Sequence, residues 1–217
     1  MLYKKKISAA VIAKSLQGKS NLERSWKLKC KPVCSSTEIS LSKWLLEKPD
    51  LNNQPRLFLS SCQNYGVGQR GRVWHSPKGG VWLSAALPYL GRKQSPGLFG
   101  LAVAFALSER LENKQIQSKI KWPNDLLVFG RKLAGFLPRV IYRGDSFRLA
   151  RIGIGMNVVN KVPDNGISLL EILGTKNLCV ANWAAEVILS IERALELFEK
   201  EESFYLEVEK RLWASTI

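Results

Sequence analysis

Between residues 116 and 154 the chain offers four strand-like runs with no helical pattern between them. Residues 116–122 read as one strand, 126–129 as a second, 132–137 as a third and 147–154 as a fourth. Phe129, Gly130 and Arg131 read as a tight turn. A parallel pair needs a crossover of a dozen or more residues, usually a helix, so this stretch does not fit a regular βαβ alternation. Earlier, residues 57–59 and 81–87 are apolar enough for buried strands, and Ser36 precedes a helical stretch carrying Ile39, Leu41, Trp44, Leu45 and Leu46. Ser95 and Pro96 give an N-cap and a first helical residue for a helix reaching about residue 113, apolar nearly all round in its first half. In a last long helix, from 182 to about 202, Val187, Ile188, Ile191, Ala194, Leu195 and Phe198 recur at helical spacing, and a shorter one covers 204–213. The expected class is α+β, a mixed or antiparallel sheet backed by helices.

A chain of 217 residues suits one domain with a sizeable core. Its charge is uneven. The first 32 residues hold nine basic residues and one acid, Glu23, a local +8 out of a net +15. That segment reads as a basic, weakly structured lead-in, a solvated tail rather than a nucleic-acid arm, and residues 33–217 as the folded unit. A positive field favours an anionic partner without naming it. The single histidine, His75, excludes any site built from several histidines, and reads as a surface or packing residue. Cys30, Cys34, Cys62 and Cys179 form no Cys-x-x-Cys pair. With no secretion signal in view, they read as reduced thiols of a cytoplasmic protein. The longest apolar runs have about ten residues, against roughly 20 for a membrane span.

Three segments carry chemistry. Gly66-Val67-Gly68-Gln69-Arg70-Gly71 fits a dinucleotide-binding pattern in letters only. That turn needs a helix directly after it, whereas Arg72-Val73-Trp74-His75-Ser76-Pro77 follows. Glycines that bare backbone N–H groups, forked donors on Arg70 and Arg72, and the flat indole of Trp74 favour a ligand-binding loop over a plain surface loop. Lys121-Trp122-Pro123-Asn124-Asp125 ends a strand, with Lys132 beyond the turn. In a hairpin, Asp125 and Lys132 fall on neighbouring strands. A lysine stabilises developing phosphate charge, and a carboxylate takes a proton from an incoming amine. Taken alone, the segment equally suits a Trp-Pro turn closing a hairpin. Gly153-Ile154-Gly155-Met156-Asn157 either lets a ligand approach the backbone or is only a crowded sheet end.

In this order the segments resemble the biotin protein ligase family. Ser36-Thr37 matches its Ser-Thr-Asn block, and Gln63 with residues 66–74 matches its glycine/arginine loop, continued by Ser76-Pro77 and Gly79-Gly80. Residues 121–125 with Lys132-Leu133-Ala134-Gly135 match its Lys-Trp-Pro-Asn-Asp and Lys-Leu-Ala-Gly pair, and residues 153–157 its Gly-Ile-Gly-x-Asn block. The likeness covers roughly residues 33–213 and implies a class II synthetase-like fold. It also implies two steps: biotin and ATP, with Mg2+, give biotinoyl-AMP, and a lysine of a biotin carboxyl carrier domain, such as that of acetyl-CoA carboxylase, then takes the biotin.

By the same resemblance, Ser36, Thr37, Gln63, Gly66, Gly68, Gln69 and Gly71 would surround biotin. Arg72 would clamp phosphate, and Trp74, Lys121, Asn124 and Asn157 would line the ATP side. Lys132 would contact the reacting carboxylate and adenylate, and Asp125 would handle the acceptor lysine's proton. No residue is assigned directly to the metal.

The sequence also departs from the family. Glu38 stands where Asn is usual, which puts negative charge near an anionic ligand, and Val67 and Gln69 replace two loop arginines. Pro138-Arg139 replaces Val-Glu, so an edge position is expected there. Neither a winged helix before the match nor an SH3-like domain after it is expected, and hence no operator binding. A homodimer stays open. The competing readings are a lipoate or octanoate transferase or ligase of the same fold, and a non-catalytic basic protein that binds nucleic acid.

Overall fold

The computed structural model describes residues 7–17, 24–49, 54–88, 96–143, 146–174, 178–199 and 201–213. Seven strands form one sheet in the order β1-β2-β3-β7-β6-β5-β4. They are β1 (Lys27–Lys31), β2 (Arg56–Ser60), β3 (Val81–Pro88), β4 (Lys119–Lys121), β5 (Asp125–Val128), β6 (Arg131–Arg143) and β7 (Ser146–Met156). Only β1 and β2 pair in parallel; every other neighbour is antiparallel. The mixed α+β class expected from the uninterrupted strand runs is thus the class observed.

The helices are α1 (Ala9–Gln17), α2 (Thr37–Glu47), α3 (Pro96–Glu112), α4 (Leu169–Leu173), α5 (Val180–Glu199) and α6 (Glu201–Glu209). Alternation along the strands sends Leu57, Leu59, Leu83, Ala85, Ile152, Ile154, Ala134 and Phe136 into the main core, which α3, α5 and α1 cover. The opposite face carries Phe58 and Ala86 against Leu41 and Trp44 of α2. Covering both faces leaves β2 and β3 almost wholly buried.

Three expectations need correction. The first 32 residues are not a tail throughout: Ile12 and Leu16 of α1 are fully or nearly fully buried, and β1 is a strand of the common sheet. Its alternating lysines concealed it, because an edge strand tolerates charge on its exposed side. Lys4, Lys5, Lys6 and Lys19 lie outside the described residues, as does Ser95. In α2, Ile39 and Leu46 are exposed rather than part of the apolar side. The short α4, capped by Ser168, was not foreseen. Pro138 does stand at a local edge. It pairs with Ile152 of β7, while the β5 ladder on the other side stops at Gly135, and α3 packs Gly100 against its ring.

Candidate active site

The site lies on the α2 face of the sheet, where three strand glycines clear the floor. Gly135 and Gly155 are direct cross-strand partners, and Gly153 faces Ser84 and Leu137. The Trp74 ring lies on the first pair. A Cβ on Gly155 would come within 2.5 Å of Trp74 Cε2, and one on Gly135 within 3.0 Å of its Cζ3. Trp74 meets the buried Trp82 edge-on, with centroids 6.4 Å apart. Above this floor opens a cavity of about 450 Å³, within the usual range for small-molecule sites.

One end is built on the β5–β6 hairpin. Phe129 (φ 51°) and Gly130 (φ 72°) form its two-residue turn, both in the left-handed region that such turns require. A register shift between Leu126 and Leu127 puts one extra β6 residue into the ladder beside Lys132. Lys132 Nζ stands 2.6 Å from Asp125 Oδ1 and 4.7 Å from the Trp74 ring centroid. The hairpin expectation that brought these two residues together is met.

The Lys132 backbone is fixed on both sides. Its N–H donates to Asn165 O at 2.9 Å, and its carbonyl accepts from Ile167 N at 3.0 Å and from Asn157 Nδ2 at 3.2 Å. Asn157 Oδ1 accepts from Asn160 Nδ2. Both ends of the buried Asn157 amide are therefore committed to protein, and the residue positions Lys132. Asn124 Nδ2 donates to Phe136 O at 3.2 Å.

The other end is a polar relay at the start of α2. Ser36 caps the helix by accepting from Glu38 N. Thr37 N and Oγ1 both donate to Gln63 Oε1, at 2.7 and 3.0 Å, and Gln63 Nε2 donates to Ser76 Oγ at 2.7 Å. Thr37 Oγ1 also lies 2.9 Å from Ser84 Oγ. Glu38, expected to put negative charge near the ligand, lines the cavity and is paired with arginines: its Oε1 is 2.8 Å from Arg151 Nη2 and 3.9 Å from Arg139 Nε. Burial holds the Arg151 guanidinium below its usual pKa, and the Glu38 carboxylate works against that shift.

The glycine/arginine loop closes one side. Gly68 N donates to Arg72 O at 2.7 Å, and Val67 bridges Val73. Arg70 (φ 55°) and Gly71 (φ 74°) make its tip. Gly66 is boxed in, its Cβ position lying 2.7 Å from Ser76 Oγ. Arg72 lines the cavity and is exposed.

Of the predicted residues, Ser36, Thr37, Gln63, Gly68, Gln69, Arg72, Trp74, Asn124, Asp125, Lys132 and Asn157 all line this one cavity. Gly66 and Gly71 shape the loop without lining it. Lys121 does not line it either: it is exposed on β4 opposite Asp125. His75 does line it. The sequence reading missed Ser84 and the 163–166 turn, whose Pro163, Asn165 and Gly166 border the cavity. The turn's signal was present, since Pro-Asp-Asn-Gly is turn chemistry a few residues after the Gly-x-Asn block.

A model of the biotin/lipoate A/B protein ligase family matches residues 33–157, more than half of the chain. The bifunctional ligase/repressor BirA of Bacillus subtilis is 35% identical over 159 residues, covering 71% of this chain and 49% of that protein. BirA of Escherichia coli is 32% identical over 181 residues, covering 78% and 54%. The chain thus spans about half the length of these curated relatives. Among solved structures, the biotin protein ligase of Aquifex aeolicus in complex with biotin and ATP superposes with a TM-score of 0.69 at 23% identity, covering 88% of this chain and 79% of that one. That likeness is one of fold. Together with the family match to the segments that build the cavity, it gives the assignment: the chain belongs to the biotin/lipoate A/B protein ligase family.

Proposed function

We propose that this protein is an ATP-dependent biotin protein ligase that forms biotinoyl-AMP and passes biotin to a lysine of a carboxyl carrier protein, such as that of acetyl-CoA carboxylase. The observation that carries this reading is the division of one cavity between a neutral polar relay, Thr37–Gln63–Ser76, and a charged end, Lys132 beside Asp125. A cyclic urea suits the relay, and two converging anions need the cations.

In the first step a biotin carboxylate oxygen attacks the α-phosphorus of ATP and pyrophosphate leaves. Lys132 and Arg72 offset the charge gathering on the phosphoryl oxygens. In the second step the acceptor amine attacks the acyl carbon, AMP leaves, and Asp125 takes the amine's proton. The ion pair with Lys132 keeps Asp125 ready: when Lys132 turns to the adenylate, the carboxylate is freed for the amine. Mg2+ fits this end, since Asp125 Oδ1 is buried and, among the described residues, engaged only by Lys132. Asp125 would hold the ion there, and the ion would supply neutralisation of phosphate charge. Trp74, flat over the glycine floor, would cover the adenylate and exclude water that would hydrolyse it.

The direct test is pyrophosphate exchange into ATP with biotin, lipoate or octanoate as the acid. Exchange with biotin alone is expected. Exchange with lipoate or octanoate alone would move the protein to the other branch of the family, and no exchange with any acid would remove the adenylate-forming reading. Among the described residues no helix is long and apolar enough to cross a membrane.

A further inference from the structure

Arg139 and Arg151 are direct cross-strand partners on the site face, and like charges placed so destabilise a sheet. Glu38 lies over them from the first turn of α2. Its Oε1 faces Arg151 Nη2 at 2.8 Å, and Arg139 Nε stands 3.9 Å away. Arg151 Nη2 also donates to Ser42 Oγ at 2.7 Å and to Glu38 O at 3.3 Å, so the guanidinium holds both backbone and side chain of Glu38 in place. The other oxygen, Oε2, is buried, accepts no hydrogen bond and lies 3.9 Å from the Cβ position of Gly153, on the cleared floor of the cavity.

The neutral groups at this end are already bonded to one another. Gln63 Oε1 accepts twice from Thr37, Gln63 Nε2 is given to Ser76, and Thr37 Oγ1 is shared with Ser84. Glu38 Oε2 adds a buried acceptor that, unlike these, has no hydrogen-bond partner. A buried acceptor left unpaired costs binding energy, so a site with one rejects ligands that bring no donor.

We propose that Glu38 is a specificity-determining residue whose Oε2 accepts a hydrogen bond from a ring N–H of the acid substrate, while Arg151 grips its other oxygen. The proposal rests on the biotin reading, because a cyclic urea carries two such N–H groups. An acid with a dithiolane or plain alkyl end carries none and leaves Oε2 stranded.

Calorimetric binding to the full chain tests this with biotin and with two biotins methylated singly on either urea nitrogen. In the natural protein, methylation of one nitrogen should weaken binding about tenfold or more. In Glu38→Ala the penalty at that same nitrogen should fall close to onefold, since the methyl then meets open space. An equal penalty in both proteins overturns the proposal while leaving the biotin reading intact. No binding of biotin to the natural protein overturns both.

Glu38→Ala leaves two arginines uncompensated, so Glu38→Gln serves as the variant that keeps the shape. Against 2-iminobiotin, whose ring is a cyclic guanidine, Glu38→Gln should lose about tenfold more affinity than it loses against biotin, because the charge has gone from the acceptor. An unchanged ratio overturns the proposal.

Discussion

The glycine-cleared sheet floor and the glycine/arginine loop face each other across one cavity, and they are held by different means. On the floor, Lys132 is fixed by backbone bonds to Asn165 and Ile167, by the Asn157 amide and by the β5–β6 hairpin. The loop has one short 3-10 turn, the Gly68–Arg72 and Trp74–Gly66 backbone bonds and the Val67–Val73 bridge. Among the described residues no ion pair or side-chain hydrogen bond is recorded for Arg70 or Arg72. Groups that must meet a reacting atom within a fraction of an ångström sit on strands. Groups that must admit the substrate and then cover it sit on a segment with few restraints.

The largest effects are expected on the floor. Lys132→Ala should lower pyrophosphate exchange about 10²- to 10³-fold, as removal of one preorganised charge donor does. Asp125→Asn should slow transfer to the carrier lysine more than it slows exchange. The reverse order would reassign Asp125 to the first step. Gly155→Ala adds a carbon 2.5 Å from Trp74 Cε2. Moving that indole should cost about 1–3 kcal/mol of stability in a urea melt, as overpacking does elsewhere, along with a marked rise in KM for ATP.

Smaller effects are expected in the loop, and they concern timing. Arg72→Ala should raise KM for ATP about tenfold with little change in melting temperature, because the side chain holds nothing in the fold. Gln69→Arg with Val67→Arg restores the charge usual in the family, and trapped biotinoyl-AMP should then leave more slowly in a rapid-filtration assay. An unchanged release rate would mean that the floor alone retains the intermediate and would remove the contrast drawn above.

How much of this was legible in the sequence follows the same division. Lys132, Asp125 and the glycines of β7 were readable because chemistry and strand spacing coincide there. The two-residue turn at Phe129-Gly130 fixed the hairpin, and the hairpin set Lys132 beside Asp125. Lys121 is on the right strand but exposed, away from the cavity; three-residue β4 carries it opposite Asp125 without turning it inward. The pairing of Glu38 was not legible, because its counter-charges come from residues 139 and 151, and no local pattern announces a partner more than a hundred residues away. The lysine-rich β1 reads as tail in the sequence because its place depends on a parallel partner, β2, that propensity cannot supply.

The smallest expected effect contrasts β1 with the rim of the cavity. Burial pushes the Cys30 thiol up to about 11. The thiolate is the nucleophile, so at pH 8 Cys30 should react with a maleimide more slowly than Cys34 and Cys62, which lie on segments bordering the site. Its rate should climb about tenfold per pH unit until the pH nears 11. The effect on stability has a definite sign. The folded chain holds this proton more tightly than the unfolded one, so the contribution is fully present below the ordinary thiol pKa. It is lost as pH rises from there toward about 11. Cys30→Ala should therefore flatten the decline of melting temperature over that window and leave the slope near neutrality unchanged. Labelling of Cys30 as fast as Cys62 would show that β1 opens from β2 on the labelling timescale, and the edge of the sheet would then belong with the loop rather than with the floor.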